Sequence, residues 1–138
     1  MTHRLSRLLL IFLEGFLALT AIGGGIGLLT GLLAMPVEYL SGSIFTSFMI
    51  PGLSLMVVVG GLAILGAVLV ARRHRYAAAA TAVSGLAIVC FESVEVMVIG
   101  SPAGVARNLQ IFYFGLGLLI LAASLAPLAQ LRQGPARA

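Results

Sequence analysis

Four stretches of this chain are long and apolar enough to cross a bilayer, and they leave room for little else. They run from about 8 to 35, 53 to 71, 77 to 99 and 109 to 129, within one transmembrane unit spanning 1–138. A membrane-spanning helix needs about 20 mostly apolar residues, and each stretch meets that. Pro36, Pro51, Pro102 and Pro127 fall at or near the ends, where helices stop. Only 9% of the residues are charged, against about 25% in a soluble domain. The fold class expected is an all-α integral membrane bundle of four helices.

The basic start "MTHRLSR" followed by an apolar run has the outline of a secretion signal. The run is too long for one, carries Glu14 and is followed by no small-residue cleavage site. At 28 residues a single helix would measure about 42 Å, against a hydrocarbon core of about 30 Å. It must tilt, or its ends must stand among headgroups.

Arginine sets the orientation. Arg4 and Arg7 precede the first stretch, Arg72, Arg73 and Arg75 fill the turn between the second and third, and Arg132 and Arg137 follow the fourth. These lie on one side, and only Arg107 lies on the other. Positive residues stay in the cytoplasm, so both termini and the "RRHRY" turn are expected there. The net charge of +4 reflects these edges. It forms no basic stripe interleaved with aromatics, and no nucleic-acid partner is expected.

The loop "PVEYLSGSIFTSFMIPG", 36–52, is not a hydrophilic linker. Ile44, Phe45, Phe48 and Met49 share one helical face, Ser43 is placed to cap a short helix, and Pro51-Gly52 to end it. The expectation is an amphipathic helix lying in the outer interface. A re-entrant segment is the alternative.

Helices in lipid associate through small residues. The second stretch offers Gly60, Ala63, Ala67 and Ala71, the third Ala78, Thr81 and Gly85, and the fourth Asn108, Gly115, Ala122 and Ala126. The first carries two such faces. Ala18, Ala21 and Gly25 fall on the side of Glu14, and Gly23, Gly27 and Gly31 lie roughly opposite. One face is expected inside the bundle, the other inside it or against a second copy.

The acids stand out because an ionised carboxylate at the bilayer centre costs about 2.5–3.5 kcal/mol. In "IVCFESVEVMVIG", Glu92 and Glu95 continue the side of Ala78, Thr81 and Gly85, so they are expected to face protein. Arg107 is the only cation on that side and is the expected partner of Glu95, with Glu38 in competition. Glu92 has no cation in reach. It is read either as a neutral carboxyl donating a hydrogen bond or as a proton or cation site. Glu14 lies at another depth, where Arg7 can reach it.

Other chemistry is absent. The chain has no aspartate and no lysine, and its two histidines, His3 and His74, sit among arginines. No catalytic triad assembles, no glycine loop follows a strand to cradle phosphate, and "AIGGGIG" sits inside an apolar helix. No cofactor, metal or catalytic residue is assigned. The single cysteine, Cys90, reads as a small buried hydrophobe.

The stretches "SGSIFTSFMIPGLSL", the arginine turn, "FESVEVMVIG" and "LQIFYFGLGLLIL" resemble a class of small bacterial four-helix membrane proteins to which no activity is assigned. The resemblance implies a bacterial inner-membrane topology and nothing about a site. The small multidrug-resistance family also places an acid in its first helix, as Glu14 is here. This chain departs from that pattern in having no tryptophan and a longer first loop. The functional expectation is a non-enzymatic membrane protein, an accessory subunit meeting its partner or further copies of itself laterally in the bilayer. The alternative is an oligomeric transporter or channel using Glu92, with Glu95 and Glu14.

Overall fold

The computed structural model describes residues 2–132; Arg137 lies outside them. Among the described residues there are four long helices and no strand: α1 (Thr2–Thr30), α2 (Met49–Ala71), α3 (Ala77–Ile99) and α4 (Val105–Arg132). All four are long and apolar enough to span a membrane. α1 packs on α2, α2 on α3 and α3 on α4, with a lighter contact closing α4 onto α1. Leu17, Ala63, Ile88 and Ile120, one from each helix, are fully buried at the centre. The outward faces are as apolar as the core, and Leu19 is 75% exposed. That is the surface a hydrocarbon solvent requires.

The helix limits differ from the expected ones. α1 starts at Thr2, so Arg4 and Arg7 lie on its first turns, and it stops at Thr30 rather than 35. The stop comes from Gly31, which takes a left-handed φ of 74° that costs glycine nothing. The Leu33 N–H then returns to the Gly27 carbonyl at 3.0 Å.

No amphipathic helix forms in 36–52. Val37–Leu40 is a single 3-10 turn, and the chain then bends irregularly to Met49. Ser43 closes that bend instead of capping a helix. Its hydroxyl donates to the Leu40 carbonyl at 2.7 Å and accepts the Phe45 N–H at 3.2 Å. Pro51 opens α2 instead of ending a helix, because the first turn has no need of its missing N–H. Residues Ser54–Val59 of α2 are wound as wide π turns.

Glycine sets the closest approaches. A Cβ on Gly25 would lie 2.6 Å from the Gly52 carbonyl oxygen, and one on Gly60 2.7 Å from Ile22. Between α3 and α4 the contact is reciprocal: a Cβ on Gly85 would meet the Gly117 oxygen at 2.9 Å, and the reverse holds at 2.9 Å.

Several expected packing faces are corrected by these contacts. Gly60, Ala63 and Gly85 are buried, as are Ala18, Ala21 and Gly25 on the Glu14 side of α1. Ala67 is only half-buried, and Gly66 and Val70 complete the α2 face in its place. Gly23 and Gly31 are exposed with nothing within 4 Å, and Gly27 is covered by Leu33 of the segment that follows α1. The second glycine face therefore touches no other helix. Gly115 is exposed too. α4 presents Gln110, Leu116, Gly117, Ile120 and Ser124 instead, a seven-residue recurrence that suits antiparallel packing near 20°.

Candidate functional site

Buried polar side chains cluster at two depths. At the inner level, nearer the arginine turn, Glu14 is wholly buried. The Ser84 hydroxyl donates to its Oε2 at 2.7 Å. The carboxyl rests against bare backbone, because a Cβ on Gly66 would sit 2.8 Å from Oε1. Oε1 itself has no hydrogen-bond partner. The pairing of Glu14 with Arg7 does not form; Arg7 faces a different cavity, described below. Glu14 points across α1 into the α2–α3 seam, and Arg7 lies on the rim.

At the outer level Glu92 is 5% exposed and Gln110 4%. The Gln110 amide donates through Nε2 to Glu95 Oε1 at 3.1 Å and to the Gly100 carbonyl at 3.1 Å. Glu92 Oε2 and Gln110 Oε1 are buried without a partner. The predicted Glu95–Arg107 pair is therefore replaced by Glu95–Gln110. The Arg107 guanidinium instead donates to the Ser101 carbonyl, at 3.2 Å from Nε and 2.8 Å from Nη2. The reason is positional. Arg107 lies three residues before Gln110, on the exposed side of α4, while Gln110 lies in the α3–α4 seam.

The two levels do not meet. Along α3, Ser84 and Glu92 are eight residues apart, about 12 Å of helix rise. The layer between them holds Leu17, Ile88 and Ile120, exposed by 0%, 1% and 0%. Glu14 and Glu92 are thus closed off from one another by close-packed hydrocarbon.

Beside the outer cluster, a half-open apolar cavity of about 390 Å³ lies between α2 and α3. Ser54 and Val58 of the π-wound stretch form one wall, and Phe91, Val94 and Glu95 the other. Phe45 and Phe48 of the loop also line it, which is where the residues expected to form an interfacial helix are used. Cys90 is exposed and lines this cavity; it is not buried as expected.

Among the described residues no group of three histidine, cysteine or acidic side chains is placed to hold a metal ion. His74 belongs to the turn architecture: its Nδ1 accepts the Tyr76 N–H at 3.3 Å. Ser84, Gly66, Gln110 and Gly117 were not singled out from the sequence. For Gln110 and Gly117 a signal existed, since Gln110, Gly117 and Ser124 recur every seven residues.

Comparison of the chain with protein families, with characterised proteins and with solved structures finds no match.

Proposed function

We propose that this is a non-enzymatic integral protein of a bacterial inner membrane, with both termini in the cytoplasm, acting as a small accessory subunit. The observation that carries this reading is the closed apolar layer of Leu17, Ile88 and Ile120 between the acid sites. A proton or cation pathway needs polar groups in sequence across the bilayer, and that layer interrupts them. Cavity and outer acids both lie toward the Arg107 end, so a partner would be met laterally in the outer leaflet. The loop 36–52, with Ile44 91% exposed, would sit at the outer interface as irregular backbone.

A second reading is an oligomeric transporter or channel. It is favoured by the unpartnered oxygens of Glu92 and Gln110, which are costly unless something fills them.

Native mass spectrometry of the tagged chain, gently extracted from its host, separates the two. A stoichiometric foreign protein is the expected result. A homo-oligomer that moves protons or cations in liposomes, and loses that flux on Glu92→Gln, would overturn it in favour of transport.

A further inference from the structure

At the arginine end, a second cavity of about 460 Å³ opens between the start of α1, the α2–α3 turn and α4. Arg7, Arg73, Arg75, His3 and His74 line it. None of the chain's four glutamates does. The nearest in depth, Glu14, is occupied by Ser84. The Nε of Arg7 is buried without a hydrogen-bond partner. Three arginines thus line one space, Arg75 with its guanidinium 4.6 Å over the Tyr76 ring, and no acidic side chain among the described residues joins them; Leu10 and Val70 add an apolar part to the lining.

The turn that delivers Arg73 and Arg75 is strained on its own account. The Arg73 N–H bonds the Val70 carbonyl at 3.2 Å and the His74 N–H bonds the Leu69 carbonyl at 2.9 Å, the double closure with which helices end at a left-handed residue. That residue is Arg73, at φ 54°, where glycine is the usual occupant because a side chain costs about 1 kcal/mol there. The sequence keeps an arginine where the backbone favours glycine, and that arginine lines the cavity.

We propose that this cavity binds a phosphate-bearing anion, and that its occupant is the headgroup of an anionic phospholipid. Guanidinium groups pair with phosphate oxygens through two parallel N–H bonds, and basic pockets between helices on the cytoplasmic face suit lipid phosphates. The apolar floor lets acyl chains run down beside α1 while the phosphate stays with Arg7 and Arg73. The inference does not depend on whether the protein is a subunit or a transporter.

The test uses the purified full chain in bilayers of equal phosphatidylglycerol and phosphatidylcholine, with retained lipids counted by native mass spectrometry. Wild type is expected to retain phosphatidylglycerol over phosphatidylcholine, and Arg7→Gln to lower that preference by about fivefold, the worth of one arginine at an anionic surface. Arg73→Gly separates binding from folding. It relieves the left-handed residue, so the melting temperature holds or rises while the lipid preference falls. Arg107→Ala, at the other end, leaves the preference unchanged.

A melting temperature raised by millimolar inorganic phosphate in uncharged detergent, with no preference between the lipids, would move the occupant to a soluble phosphate and overturn the lipid assignment. No preference between lipids and no response to phosphate would overturn the site itself. An equal loss in Arg107→Ala would reduce the effect to net charge and also overturn it.

Discussion

Glu14 and Glu92 are buried carboxyls in the same bundle, with Glu95 half-buried beside the second, yet the two sites are housed differently. Glu14 stands alone, with one hydroxyl donor from Ser84 and a glycine cut away to admit it. In the outer pair Glu95 is held by a glutamine that is itself tied to the Gly100 carbonyl, Glu92 leaves its Oε2 without a partner, and Glu95 lines an open cavity. The inner site is closed and short of donors. The outer one holds two unpartnered acceptors, Glu92 Oε2 and Gln110 Oε1, and Glu95 beside them lines the cavity. Both sites leave a carboxyl oxygen without a partner, and what separates them is that the outer one adjoins a cavity while the inner one is packed against Gly66.

The largest effect should come from closing the inner site by volume. Gly66→Val drives a side chain into the Glu14 carboxyl and should cost about 2–3 kcal/mol, the upper range for overpacking. Gly61→Val, where nothing lies within 4 Å, should leave the unfolding midpoint in detergent unchanged. Equal losses at the two glycines would show that Gly66 is not shaped around Glu14.

Next is Ser84→Ala, which strips Glu14 of its one hydrogen-bond partner among the described residues. About 1–2 kcal/mol should be lost, and the loss should shrink in a Glu14→Leu background, where no polar group waits for the hydroxyl. An unchanged loss in that background would place the role of Ser84 elsewhere.

At the outer site the expected energies are smaller because donors are shared. Glu95→Ala and Gln110→Ala should couple by about 1 kcal/mol in a double-mutant cycle. Arg107→Ala is the smallest change, within about 0.5 kcal/mol as for an ordinary surface position, and it should show no coupling to Glu95→Ala. A coupling there would restore the ion pair that the sequence suggests.

Which parts were legible follows from the same contrast. Hydrocarbon thickness and arginine placement announce helices in the sequence, so the spans of α2 and α3 were readable to within a few residues. Glu92 and Glu95 were readable as protein-facing because they extend the line of Thr81 and Gly85 along one helix. What faces them was not. Small residues occur on lipid-facing surfaces as readily as in seams, so Gly23 and Gly115 looked like contacts and are open. Gly117, two positions from Gly115, makes the contact because of how α4 is rotated, and rotation is settled by all the helices at once. Charge proximity in the sequence favoured Arg107 for Glu95, but Arg107 stands nearly a turn closer to the start of α4 on its exposed flank, where the Ser101 carbonyl accepts two of its N–H groups, and Gln110 is the one aimed inward. The loop 36–52 had the periodicity of a helix and too few backbone hydrogen bonds to hold one beside the Ser43 turn.

The two acid sites are separate, sealed from one another by Leu17, Ile88 and Ile120. A double-mutant cycle on unfolding in detergent, with Glu14→Gln, Glu92→Gln and the pair, tests that separation directly. Separate sites give additivity within about 0.5 kcal/mol, as for positions that share no partner. A coupling above about 1 kcal/mol would contradict it, since the two carboxyls would then belong to one connected polar system.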